Sequence, residues 1–320
     1  MKNHLRRVLM LLVCCCLVLA GFNSTDSVAD KNLYVLCTTF PIYKITQHVA
    51  QGRNSVNVAL MVPSQLGCPH DYALTPQDMQ KLSMADVLIV NGLGMEEFLG
   101  APVEKANPKL KVVDSPSGIK EILQFTEEEE HEHHEAGEDE HGEHHHAGAN
   151  PHLFASPRMA AKLAMNIARE LSRLDPAGTD TYLKNARLYA DKLNKLADDF
   201  AALGKRLKNN RIVTQHGVFD YLAHDMGLEV VAVVQAHAGQ EPSASEMLEI
   251  VRTIKEKQAG AIFTEPQYPE KIGKTIAKEA SIPSANLDPA ATGPENAPLD
   301  YYETVMRKNL EILGQTLGTK

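Results

Sequence analysis

Short β-branched runs alternate with helix-length segments along almost the whole chain, and this alternation restricts the fold more than any other feature. Leu33–Thr38, Val56–Met61, Val87–Val90 and Lys111–Val113 read as strands in the first half. Arg211–Thr214, Glu229–Val234, Ala261–Thr264 and Pro283–Asn286 do so in the second. Helical patterns separate them, and Pro or Gly punctuates the ends. The pattern predicts the α/β class, with two lobes built on mainly parallel sheets. A chain of 320 residues also exceeds one typical core.

One segment between the lobes stands apart. Tyr182, Ala186, Tyr189, Leu193, Leu196, Phe200, Leu203 and Leu207 recur in alternating steps of four and three, which keeps one face of a long helix apolar. Asp175-Pro176 is a start signal and Asn209-Asn210 a stop. The expected layout is an N-terminal lobe over 30–176, a rigid linking helix over 177–208 and a C-terminal lobe over 209–320. A coiled-coil dimer seam is the competing account of such a heptad. A spine packed along its own two lobes is favoured, and with it a monomer. In the second lobe, Ser243 followed by Glu246 fits a capping box.

Lys2, Arg6 and Arg7 precede an apolar run from Val8 to Ala20, the pattern of an export signal over residues 1–29 with a small-x-small cleavage site at Ser27-Val28-Ala29. The run is shorter than a spanning helix requires. Cys14, Cys15 and Cys16 raise lipid anchoring, but none follows the small residue such an anchor normally needs. A periplasmic location is expected. Cys37 and Cys68 then remain, a candidate disulfide in an exported protein.

The run from Glu127 to His146 holds seven of the fourteen histidines, His131, His133, His134, His141, His144, His145 and His146, among ten acidic side chains. Nothing apolar is present to fold it, so a solvated loop is expected. Imidazole and carboxylate are ligands that zinc accepts, and the interleaving points to weak, auxiliary metal gathering. Without these ten acids the formal net charge of −9 becomes +1. The remainder therefore carries no nucleic-acid footprint.

Four further residues are candidate metal ligands. His216 and Asp288 directly follow predicted strands, His70 sits in a longer loop after the second strand, and His152 follows the acidic run. Carboxyl ends of strands are where ligand sites form in open α/β sheets. Three imidazoles and a carboxylate suit zinc. Glu265, ending a strand, is a candidate to orient a ligand imidazole from behind. His48 and His224 are expected at the surface, and His237 is a weak candidate ligand. No HExxH segment, G-x-S-x-G elbow or phosphate-cradling glycine loop occurs. A zinc hydrolase, which needs an open water position, is thereby disfavoured.

Several stretches together resemble a known family. They are Thr38-Thr39-Phe40-Pro41-Ile42-Tyr43, Pro69-His70-Asp71-Tyr72 with Thr75-Pro76, Ala85-Asp86, and Asn91-Gly92-Leu93-Gly94-Met95-Glu96. Asn150-Pro151-His152, Thr214 to Tyr221, Gln240-Glu241-Pro242-Ser243 and Leu287-Asp288-Pro289 complete the set. The chain resembles the periplasmic metal-binding subunits of ABC importers, the cluster A-I solute-binding family, and among these the high-affinity zinc-uptake proteins. The resemblance implies two α/β lobes bridged by a long helix, with the ion in the interlobe cleft held by His70, His152, His216 and Asp288. It also implies a membrane permease with a cytoplasmic ATPase as partners, and Zn2+ as the transported ligand. Manganese members usually carry a carboxylate where His216 stands. Asn150 occupies a position where the family more often has Asp, Phe154-Ala155-Ser156 replaces a Trp-Leu-Asp pattern, and Cys68 replaces a common Asp.

Overall fold

The computed structural model describes residues 32–67, 69, 72–125, 148–235 and 241–319. All eight expected strands are present, each within a residue or two of its predicted bounds. They are β1 (Leu33–Cys37), β2 (Val56–Leu60), β3 (Val87–Val90), β4 (Lys111–Asp114), β5 (Arg211–Thr214), β6 (Glu229–Val233), β7 (Ala261–Thr264) and β8 (Ser284–Asn286). They form two four-stranded sheets with the same plan, β2-β1-β3-β4 and β6-β5-β7-β8, and every pairing is parallel. Inner strands of a parallel sheet are covered on both faces and need continuous apolar sequence. The runs VLIV in β3 and AIFT in β7 meet that need and are buried throughout.

The connecting helices are α1 (Phe40–Ala50), α2 (Pro76–Met84), α3 (Gly100–Ala106), α4 (Pro157–Leu174), α5 (Thr179–Gly204), α6 (Asp220–Met226), α7 (Ala244–Lys257), α8 (Glu270–Ala280) and α9 (Tyr301–Leu317). The capping box expected at Ser243 and Glu246 opens α7, and a second one, Thr75 with Asp78, opens α2. The described residues from Leu33 onward make one compact unit.

Helix α5 is the expected spine. Its 26 residues give a rod of about 39 Å, shorter at both ends than the sequence suggested. Pro176–Gly178 forms a 3-10 turn before it, and the helix stops at Gly204, where a Cβ would collide with the Met226 carbonyl. The predicted stripe Tyr182, Ala186, Tyr189, Leu193, Leu196, Phe200 and Leu203 is buried. Helix α5 packs against α1, α4, α6 and α9. The face that could have served a dimer seam is therefore filled from within the chain.

The segment after β8 crosses back onto the first lobe. Gly293 N–H donates to the Ser64 carbonyl at 3.0 Å, and Lys44 Nζ donates to the Ala297 carbonyl at 3.0 Å. Phe40 meets Tyr301 edge to face at 5.6 Å. A Cβ at position 293 would run into the Phe40 ring, so the close crossing needs glycine there.

His48 corrects an expectation. Instead of facing solvent it is only 8% exposed, with its ring stacked on Tyr189 of α5 at 3.7 Å and its Nε2 2.8 Å from the Leu299 carbonyl. The heptad stripe of α5 and the crossing segment enclose it, and neither neighbour is visible from the pattern of α1 alone. Burial lowers its pKa from 6.5 to about 4, with Lys192 and Lys44 acting in the same direction against the carbonyl and Asp300. Between these values the unfolded chain binds a proton that the folded chain refuses. Folding stability should thus fall as pH drops from 6.5 towards 4, by about 3 kcal/mol from this group. The raised carboxyls of the protein act in the opposite direction, so the contribution is read by difference: in chemical denaturation the stability of the natural chain relative to His48→Gln should shrink as pH falls across that range.

Candidate metal centre

In a sheet of order β6-β5-β7-β8 the chain runs outward from β5 to β6 on one side and from β7 to β8 on the other, and the crevice at the carboxyl ends of β5 and β7 is the place for a ligand. His216 emerges after β5 and Glu265 after β7. His216 Nδ1 lies 2.5 Å from Glu265 Oε1, and Gln267 Nε2 donates to the other carboxylate oxygen at 2.5 Å. Glu265 is fully buried. Burial raises its pKa; His216 opposes the rise and the charge of Asp288 adds to it.

Asp288 follows β8 at the same end of the sheet. Asn309 of α9 clamps its peptide, accepting from the Asp288 N–H at 3.1 Å and donating to its carbonyl at 2.6 Å. Ala290 N–H donates to Asp288 Oδ1 at 2.8 Å. Burial nonetheless raises the carboxyl pKa, against that hydrogen bond and Lys308.

His152 arrives from the loop ahead of α4 and is 1% exposed. Its ring meets that of His216 at 5.1 Å between centroids and 81° between planes. Phe125 and Phe154 stand edge-on to His152 at 6.3 and 6.0 Å, and Tyr268 stands edge-on to His216 at 5.9 Å. His152 Nδ1 lies 2.9 Å from Asn150 Oδ1.

The first sheet supports this loop from its own crevice. Glu96 accepts from Thr38 Oγ1 at 2.5 Å after β1, and from the Asn91 and Gly92 N–H groups at 2.6 and 3.0 Å after β3. Asn91 Nδ2 then donates to the Pro151 carbonyl at 2.9 Å, next to His152. Burial raises the Glu96 pKa to about 7 against the three bonds it accepts.

The structure thus brings together His152, His216 and Glu265, with Asp288 at the same sheet end. His70, Cys68, His237 and the seven histidines of the acidic run lie outside the described residues. Among the described residues no three His, Cys, Asp or Glu side chains are gathered closely enough to cage an ion. His224 is exposed, as expected. The candidate Cys37–Cys68 pairing falls partly outside the described residues; within them Cys37 is a free, fully buried thiol. Its side chain belongs to the apolar core with Ile42 and Ile45, and burial pushes its pKa up to about 12 despite a bond with Thr46. The sequence reading missed Asp220 and Tyr221. Asp220 accepts from Asn150 Nδ2 at 2.9 Å, and Tyr221 O–H donates to the Asn150 carbonyl at 2.8 Å. Burial raises the Asp220 pKa to about 6, opposed by Asn150 and His216. Both residues fall in the stretch around His216 that carries the family resemblance, but nothing in that stretch points to Asn150.

Residues 35–316 match the family described as zinc-uptake complex component A, periplasmic. The chain belongs to that family. Among members of the zinc-uptake component A family, it is 31% identical to the high-affinity zinc uptake system protein ZnuA of Bacillus subtilis, over 97% of this chain and 95% of that protein. It is 30% identical to the zinc-binding lipoprotein AdcA of Streptococcus pneumoniae over 98% of this chain, which spans 61% of AdcA's length. Two solved structures share the fold at TM-score 0.74. One is the solute-binding protein FpvC of Pseudomonas aeruginosa in complex with Mn2+, with 27% identity over 90% of this chain and 98% of FpvC. The other is a Zn(II)-bound mutant variant of AdcAII of Streptococcus pneumoniae, with 26% identity over 90% of this chain and 99% of AdcAII.

An orienting carboxylate behind a ligating imidazole is generally worth about 10–100-fold in metal affinity. Glu265→Gln should lower zinc affinity by that factor while leaving stoichiometry unchanged, as read by competition with a chromophoric chelator.

Proposed function

We propose that this protein is a non-enzymatic carrier that captures Zn2+ outside the cytoplasmic membrane and hands it to an ABC permease driven by a cytoplasmic ATPase. The proposed ligands are His70, His152, His216 and Asp288, with Glu265 orienting His216. The observation that carries the reading is the meeting of two buried imidazoles from distant parts of the chain, each with Nδ1 facing an oxygen. A neutral ring that donates from Nδ1 keeps its lone pair on Nε2, the state a zinc ligand needs.

Electrostatics support a cation here. Glu265, Asp288 and Asp220 all have raised carboxyl pKa values because burial disfavours their charge. A divalent ion would offset that cost. Nitrogen at His216 favours zinc over manganese on ligand preference. The solved relatives carry either metal, by their descriptions. Four protein ligands leave no water position, which separates a carrier from a zinc hydrolase. The run containing His131, His133, His134, His141, His144, His145 and His146 is proposed to hold further ions weakly and exchange them with the central site. No helix among the described residues is long and apolar enough to cross a membrane. The leader over residues 1–29 is proposed to export the chain.

Calorimetry and metal analysis test this reading. The full chain should bind one zinc tightly and several weakly, and removal of residues 127–146 should abolish only the weak class. His216→Ala should abolish the tight class; retention of tight binding would defeat the ligand assignment. Protons compete for the imidazole lone pairs, so affinity should decline as pH falls through the histidine range near 6.5.

A further inference from the structure

Asn150 is completely buried, and each of its polar groups is engaged. Its backbone N–H donates to the Leu123 carbonyl at 2.8 Å, and its carbonyl accepts from Tyr221 O–H at 2.8 Å. Its amide Nδ2 donates to the Gly217 carbonyl at 2.8 Å and to Asp220 Oδ2 at 2.9 Å. Its Oδ1 accepts from the His152 backbone N–H at 3.0 Å and faces His152 Nδ1 at 2.9 Å.

These partners leave the amide one orientation. Gly217 O can only accept, as can an ionised Asp220, so the NH2 end must face them. The His152 backbone N–H can only donate, so the oxygen must face it. Since Oδ1 accepts and never donates, the His152 nitrogen at 2.9 Å has to carry the proton. The same amide reaches Gly217, the neighbour of His216.

We propose that Asn150 is a positioning residue that locks His152 as the Nδ1–H tautomer and ties its ring to the His216 loop before an ion arrives. The inference rests on the zinc-carrier reading and deepens it. Amide chemistry is what the place demands. Replacing Asn150 with a carboxylate would remove both donors and set a second negative charge against Asp220, whereas exchanging the two groups keeps amide facing carboxylate. Asn150→Asp combined with Asp220→Asn preserves the acceptor for His152 and a donor–acceptor pair between positions 150 and 220. The bond to Gly217 is replaced by a contact between two acceptor oxygens, which the single Asn150→Asp change shares.

The first test is long-range 1H–15N NMR of the imidazoles in metal-free protein. His152 should be a single Nδ1–H tautomer in the natural chain and a mixture in Asn150→Ala. The second is zinc affinity by chelator competition, with thermal unfolding as a check on folding. Asn150→Ala should lose about 10–100-fold, the usual range for such an orienting partner, and Asn150→Asp should also weaken binding. The double exchange should recover part of the affinity that Asn150→Asp alone loses. An Nε2–H tautomer in the natural chain, unchanged affinity in Asn150→Ala, or a double exchange no better than Asn150→Asp alone would each overturn the proposal. If the natural protein binds no zinc at one equivalent, the carrier reading fails. The tautomer measurement, made without metal, still decides the role of Asn150.

Discussion

Two imidazoles have to be taken out of water without losing either their orientation or their lone pairs, and the architecture around them follows from that requirement. An imidazole buried among apolar groups carries a desolvation cost unless its ring nitrogens are satisfied. Here an oxygen acceptor stands at Nδ1 of each ring: Glu265 Oε1 for His216 and Asn150 Oδ1 for His152. The groups that bear those oxygens are held in turn: Gln267 donates to the other oxygen of Glu265, and Asn150 Nδ2 donates to Gly217 and Asp220. The site is thus built from polar groups that converge from two strand ends and one loop.

The electrostatic counterpart is an accumulation of negative charge under cover. Glu265, Asp288 and Asp220 are each pushed up by burial, and among the described residues no Lys or Arg is hydrogen-bonded to any of them. A fixed basic side chain in the same place would neutralise the cluster permanently and repel a cation. A site left short of positive charge can instead take it from a mobile ion and return it.

The sheets and the spine decide where these groups stand. Both sheets use the 2-1-3-4 plan, so each has a crevice at its carboxyl edge. In the first, Glu96 gathers Thr38, Asn91 and Gly92, and Asn91 passes the support on to Pro151. In the second, His216 and Glu265 flank the crevice. Helix α5 touches helices of both lobes, and the segment bearing Gly293 and Leu299 crosses back onto α1. The chain thus crosses between the halves twice, once through α5 and once through the segment after β8.

Local periodicity determined a large part of this protein. The strand runs, the four-three stripe of α5 and the Ser243–Glu246 cap depend on neighbours within one element, and all of them appear in the structure. The placement of His216, Asp288 and Glu265 just beyond strands was legible because strand ends are marked in sequence, and such ends are where ligand sites form in parallel sheets. What only the tertiary structure decided involves partners far apart in the chain. His48 read as a surface residue until Tyr189 and Leu299 closed over it. Asn150 read as a departure from a carboxylate. Its reason lies in Asp220, 70 positions away, and no pattern within a single helix or strand records which two side chains the fold will bring to hydrogen-bonding distance.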